Sequence, residues 1–399
     1  MQVPPFSLQE QLSNIGHDLD LAVLKTLHSG QYIGGDEVKS FEKAFSESIS
    51  VPHSVACNSG TDALILALRA LDIGPGDEVI TVSFSFFATA EAISNVGAKP
   101  IFVDVEPNNF LIDINQIKAA ITPSTKAILP VHLFGNPVDM DAIISISKEY
   151  GLKVIEDCAQ AVGTTWAGKP VGGFGDIGCF SFFPTKNLGA AGDGGAITTH
   201  EISIAKRIRE LAVHGMPKRY FHTELGYNSR LDAIQAAILN VKLHRLSEWI
   251  NQREEIARRY IDSLKDLKDL IMPVGPLGSG SRSSWNQFVI KVVGSPKSKG
   301  KSIDQSIDLP EEIANRLHDS SNRDWLKLNL SKKGINTIIY YPIPIHLQPV
   351  YSDYNFNAGS LLNSELLASQ VLSLPIFPEL SIEQQDYVIT IIRDFYSTN

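Results

Sequence analysis

Between about residues 50 and 200, short apolar runs alternate with segments of helical spacing. Ser54–Cys57, Glu78–Val82, Pro100–Val105, Lys126–Val131, Lys153–Glu156, Gly178–Phe183 and Ala196–Thr199 are predicted strands. Several are apolar almost throughout, as expected of strands covered on both faces. Thr61–Leu71, Ala88–Val96 and Met140–Tyr150 read as amphipathic helices between them. Such alternation predicts an α/β fold, a largely parallel sheet between helical layers. Gly74-Pro75-Gly76-Asp77, Pro107-Asn108-Asn109 and Gly172-Gly173-Phe174-Gly175 mark turns.

A long amphipathic stretch follows from Leu231 to about Leu264, with Ile234, Ala237, Ile238, Val241 and Leu246 at helical spacing. With 399 residues the chain exceeds what one core usually serves, so two domains are expected. The boundary is placed inside that stretch: 1–250 as a large domain with an N-terminal arm, and 251–399 as a smaller α+β domain. The smaller part holds Gln287–Val293 and Asn336–Tyr341 as predicted strands and a closing helix over Ile382–Phe395. The Ser/Lys-rich run within 294–308 reads as a flexible surface insertion.

A net charge of −9 argues against nucleic acid as a partner, because phosphate backbones need clustered Lys and Arg. It leaves room for an anionic small molecule, since a site can be locally basic. The opening Met1-Gln2-Val3-Pro4-Pro5 has neither a basic nor an apolar leader region, and no run of about 18 apolar residues exists to enter a membrane. Cys57, Cys158 and Cys179 lie in apolar runs and match no zinc spacing, so no metal site is expected. Buried free thiols and a cytoplasmic location are the expectation.

Four features carry candidate chemistry. Asn58-Ser59-Gly60-Thr61-Asp62 lies between a strand and a helix, where free amides and the helix dipole favour a phosphate; taken alone, a simple N-cap is the commoner reading of such a turn. Asp157, in Glu156-Asp157-Cys158-Ala159-Gln160, stands at the carboxyl end of a strand, where open α/β sheets present ligand-binding residues. It suits a pyridinium nitrogen, or merely a cap or ion pair. Lys186 leaves the apolar run Cys179–Phe183 into a small-residue loop, too apolar a setting for an ordinary surface lysine. Phe86, in Ser83-Phe84-Ser85-Phe86-Phe87, can stack on a planar ring; for Phe84 and Phe87 core packing is preferred.

Together these blocks resemble the DegT–DnrJ–StrS family of nucleotide-sugar aminotransferases, which have the fold-type-I pyridoxal-phosphate (PLP) architecture. The resemblance starts at Gly30-Gln31-Tyr32-Ile33-Gly34-Gly35 and includes the phosphate turn, Glu156–Gln160 and Ser181-Phe182-Phe183-Pro184-Thr185-Lys186. It continues through Gly226–Ala237 to Tyr341-Pro342-Ile343-Pro344-Ile345-His346. It implies a large domain with a seven-stranded, mostly parallel sheet. Lys186 becomes the Schiff-base lysine and acid–base, Asp157 the partner of the pyridine nitrogen, and Gln160 a neighbour of the ring and its phenolic oxygen. Phe86 takes the stacking position, while Gly60, Thr61 and Ser181 contact the cofactor phosphate. Asn228 is implied to reach the phosphate of a neighbouring subunit, making a homodimer with shared active sites. Tyr32, Arg230 and His346 are the implied substrate contacts.

The implied reaction is ping-pong, from L-glutamate to a keto group on a nucleotide-linked hexose. The run His222–Asp232 resembles members that act on 3-keto sugars more than those that act on 4-keto sugars. A PLP-dependent sugar dehydratase is the rival enzyme, but those relatives carry histidine in place of the lysine. A non-catalytic regulator that binds PLP or a sugar nucleotide is the rival from another class, and loss of Lys186 or Asp157 would favour it.

Overall fold

The computed structural model describes residues 1–294, 319, 321–354 and 356–397. Seven strands form the central sheet: β1 (His53–Cys57), β2 (Glu78–Val82), β3 (Lys99–Val103), β4 (Thr125–Ile128) and β5 (Lys153–Asp157), then, past a two-stranded hairpin of β6 (Thr165–Trp166) and β7 (Lys169–Pro170), β8 (Ile177–Ser181) and β9 (Gly195–Thr199). Their order is β1-β9-β8-β5-β4-β2-β3, with only β9 running against its neighbours. All five residues of β8 and of β9 are buried, which is why these runs lack the alternation of a half-exposed strand.

The helices are where spacing and caps put them. Gly60–Ala70 buries seven residues around most of its circumference, and Ser59 caps it by accepting from the Asp62 amide at 3.1 Å. Met140–Tyr150 is capped by Asp139, which accepts from the Ala142 amide, and ends on Gly151 at a left-handed φ of 67°. Two further helices, Gln9–Ser29 and Gly35–Ile49, precede the sheet and pack on the helix Ala233–Leu243.

Two expectations change in the second half. The amphipathic stretch is two helices, Ala233–Leu243 and Leu246–Leu264, separated at His244 and Arg245. Asn336–Tyr341 is not a strand. Its start is tied to the N-terminal tail, with Asn336 N donating to Val3 O, and Ile338 alone pairs with Ser373, so no continuous ladder forms. The C-terminal sheet is instead built from β10 (Leu270–Ile271), β11 (Phe288–Val292) and β12 (Val371–Leu374), three antiparallel strands. The closing helix runs Ile382–Ser397.

One apolar cluster continues from Phe41 and Phe45 under the large sheet to Phe288, Leu372 and Ile392 in the C-terminal part. The insertion expected over 294–308 lies outside the described residues apart from Gly294. Cys57, Cys158 and Cys179 are free and buried. Among the described residues, no helix is long and apolar enough to cross a membrane.

Candidate active site

Strands β1, β8, β5 and β2 point the same way, so their carboxyl ends share one edge of the sheet. Ser59–Thr61 follow β1, Ser181 ends β8, Asp157 ends β5 and Phe86 follows β2. Residues far apart in sequence thus meet in a row.

At the β1 end, the helix start is pressed onto β8. A Cβ on Gly60 would lie 2.6 Å from the Ser181 Cβ, so only glycine permits this approach. Ser59 takes the Asp62 and Ala63 amides, while the Gly60 and Thr61 amides find no acceptor among the described residues. Two free N–H groups at a helix start beside Ser181 suit an anion.

In the middle, Asp157 is buried and accepts from Thr89 Oγ1 at 2.8 Å and the Ala159 amide at 3.1 Å. Ser85 Oγ lies 2.9 Å behind Thr89 Oγ1. Burial pushes the Asp157 carboxyl above its ordinary value, with the two hydrogen bonds and Lys186 pulling it back. Its neighbour Glu156 leaves the strand on the opposite face and accepts from the Gly172, Phe174 and Gly175 amides at 2.7, 2.8 and 2.8 Å. That contact explains the glycine-rich turn: it wraps a buried carboxylate.

Lys186 follows a turn closed by its amide on Phe183 O at 2.8 Å. Burial pushes its amine down to about 8, against the attraction of Asp157. Next to it, Asn187 ties the loop to Ser284 O at 2.8 Å. Gln160 is held at both ends, accepting from the Phe134 amide at 2.6 Å and donating to Tyr341 OH at 2.9 Å. Phe86 is 57% exposed, and its ring stands 6.0 Å from that of Tyr341, while Phe84 is buried and Phe87 half-buried.

Three expected substrate contacts fall differently. Tyr32 is half-exposed and joined through its carbonyl to the Ala233 amide, close along the chain to exposed Arg230. His346 is buried, with its ring nitrogens on Ser83 and Glu365. Asn228 is exposed, but its neighbour Ser229 is buried and accepts from the Asn58 amide at 3.2 Å. Ser229, Thr89, Ser85 and Tyr341 were not singled out as site residues from sequence. Ser85, Ser229 and Tyr341 lie inside motifs that the sequence displays, whereas a hydroxyl like that of Thr89 carries no pattern of its own. His132, Glu156 and Cys158 have potential ligand atoms within 4.8 Å of one another, but the His132 Nδ1 and the Glu156 carboxylate are already taken by backbone amides.

The arrangement offers an anion seat, a buried carboxylate for a cationic ring nitrogen, an aromatic face and an amine. The model of the DegT/DnrJ/EryC1/StrS aminotransferase family matches residues 13–308 and 305–393. A pleiotropic regulatory protein of Geobacillus stearothermophilus is 43% identical, with 99% of each chain covered. The UDP-N-acetyl-3-dehydro-alpha-D-glucosamine 3-aminotransferase of Acidithiobacillus ferrooxidans is 42% identical over 98% of this chain and 97% of its own. Among solved structures, DesV of Streptomyces venezuelae, in complex with a ketimine intermediate, superposes with a TM-score of 0.90 at 37% identity, covering 99% of both chains.

Proposed function

The chain belongs to the DegT/DnrJ/EryC1/StrS aminotransferase family, and from that premise we propose that it moves an amine from L-glutamate to the 3-keto group of a nucleotide-linked hexose. The family's cofactor is pyridoxal 5′-phosphate. The residues present fit it. The free Gly60 and Thr61 amides and Ser181 suit its phosphate, the desolvated Asp157 carboxylate its ring nitrogen, and exposed Phe86 its face. Bound there, pyridoxal phosphate supplies an electron sink for the pair left when a C–H bond beside nitrogen breaks.

The observation that carries the reading is the placement of Lys186 just past β8, next to the strand that ends in Asp157, where burial also pushes its amine down to about 8. A lysine so placed keeps a useful neutral fraction near physiological pH. In the proposal, Lys186 Nζ takes the proton from the donor's α-carbon and later delivers one to the sugar carbon that bore the ketone. Asp157 holds positive charge at the ring nitrogen through both halves, and Thr89 fixes that carboxylate by its 2.8 Å hydrogen bond. Gln160, fixed at both ends, orients the ring's oxygen-bearing edge.

The 3-keto choice is supported by the Acidithiobacillus relative, whose name specifies a 3-dehydro sugar and a 3-amino product. A homodimer is supported by the half-exposed Leu12, Leu21, Leu24 and Leu27 on the helix Gln9–Ser29, and the reach of exposed Asn228 to a neighbour's site is what the family resemblance implies. Apolar rows of that kind mark protein contacts. The Geobacillus relative's name describes regulation, and measured amine transfer separates that role from this one.

The test offers purified protein, pyridoxal phosphate and 15N-glutamate a panel of UDP- and dTDP-linked 3-keto and 4-keto hexoses. Mass spectrometry should show a 15N-amine on a 3-keto substrate and an equal yield of 2-oxoglutarate. Transfer only to 4-keto sugars, or to none, would overturn the proposal.

A further inference from the structure

His346 closes the Tyr341–His346 block, yet the reaction above gives it no role. Its surroundings are specific. Ser83 directly follows β2 and opens the segment that carries Ser85, Phe86 and Thr89. The Ser83 carbonyl accepts from the Ile345 amide at 2.8 Å, and its hydroxyl oxygen accepts from the His346 amide at 3.1 Å. The same hydroxyl lies 2.6 Å from His346 Nδ1, and the direction of that bond follows from the other ring nitrogen. Nε2 faces the acceptor Glu365 Oε1 at 3.2 Å and so carries the ring proton, which in a neutral imidazole leaves Nδ1 to accept from the Ser83 hydroxyl. Glu365 is itself fixed by the Gly359 and Leu361 amides. Burial holds the imidazole below its ordinary value, against Glu365 and Asp104, which agrees with a neutral ring.

The same block grips the segment a second time. Tyr341 stands 6.0 Å from the Phe86 ring, and its hydroxyl accepts from Gln160. The Phe86 ring, 57% exposed, therefore depends on how its backbone is held from behind.

We propose that His346 is a positioning residue: through Ser83 it sets the segment after β2 so that Phe86 and the Ser85–Thr89–Asp157 chain meet the cofactor correctly. This rests on the reading of Phe86 and Asp157 as cofactor contacts. His346 acts through its Nδ1 acceptor, while the Glu365 contact serves only to orient the ring.

Two isosteres separate those bonds. His346→Asn keeps an acceptor near the Nδ1 position and loses Glu365; His346→Gln can still donate to Glu365 but loses the acceptor for Ser83. Each holoenzyme is assayed for pyridoxal phosphate dissociation by equilibrium dialysis and for the visible circular dichroism of the bound cofactor. Urea unfolding of the cofactor-free forms reports stability. Both variants should lose stability to a similar degree. His346→Gln and Ser83→Ala should weaken cofactor binding about tenfold, the size of one buried hydrogen bond, and diminish the dichroic band. His346→Asn should stay within about twofold of wild type. Equal losses in Asn and Gln would mean a merely structural histidine and overturn the inference. Ser83→Ala, which removes one oxygen, decides the matter even where a histidine variant does not fold, and unchanged binding and dichroism there overturn it too. Phe86→Ala identifies which reading has failed. If it alters the band while Ser83→Ala does not, the positioning role falls alone. If Phe86→Ala changes nothing, the stacking role of Phe86 falls and takes this inference with it.

Discussion

Replacing Lys186 with Met should make the cofactor-free protein more stable at neutral pH while removing its amine chemistry. Burial moves the Lys186 amine from its ordinary 10.5 to about 8. At about 1.4 kcal/mol per pK unit, that shift means the charged amine costs the fold roughly 3 kcal/mol at pH 7. Methionine fills similar space without charge. It also removes the cation that helps Asp157, whose carboxyl burial already raises, so the net gain is set at about 1–3 kcal/mol. The sign follows from proton counts. Between about 8 and 10.5 the unfolded chain holds the lysine proton and the folded chain has released it, so wild-type stability rises with pH across that window. The advantage of Met is therefore full below pH 8 and shrinks above it. Urea unfolding of both cofactor-free proteins at pH 7, 8 and 9, with m-values compared, measures it. A variant no more stable than wild type at pH 7, or a gap that ignores pH, would refute the reasoning.

Asp157→Asn removes the buried charge opposite the ring nitrogen and should lower the amine-transfer rate roughly hundreds-fold, with a much smaller change in cofactor affinity; a near-normal rate would end that role. Glu156→Gln turns one of two acceptor oxygens into a donor facing the Gly172 amide or the Phe174 and Gly175 amides. It should cost about 3 kcal/mol in equilibrium unfolding, and a loss under about 1 kcal/mol would contradict the wrapped-carboxylate picture. Mixing Lys186→Ala with Asn228→Ala subunits should restore activity at one site per mixed dimer. Mixed dimers verified by native mass spectrometry yet inactive would refute sharing of the site.

The β-α alternation was legible because buried parallel strands write themselves as apolar blocks, and all seven strands of the large sheet lie within a residue or three of their expected bounds. The C-terminal sheet was less legible. Its strand Val371–Leu374 reads Val-Leu-Ser-Leu directly after the helix Leu362–Gln370, so no turn residue separates the two. Asn336–Tyr341 looked better by β-propensity, but propensity says nothing about a competing partner such as Val3. Lys186 and Asp157 stood out because a charge at the end of an apolar run is costly without a purpose. His346 was visible only through the family resemblance, since whether a histidine faces a cleft or a buried serine is decided by tertiary packing. Thr89 was invisible, since one hydroxyl on a helix start is common.

The reversed strand β9 has a consequence for the order in which the protein can be assembled. β1 hydrogen-bonds to β9 and to no other strand of the sheet, and β9 lies roughly 140 residues further along the chain. At about 5–20 residues per second of synthesis, β1 waits on the order of ten seconds for its neighbour. Until then the helix start at Gly60 has no Gly195 against the Ser59 carbonyl, and no β9 to hold it beside Ser181. A nascent chain halted before Thr199 therefore carries the anion-binding turn as bare sequence, and cofactor capture by the growing chain can begin only after the one strand laid in backwards has arrived.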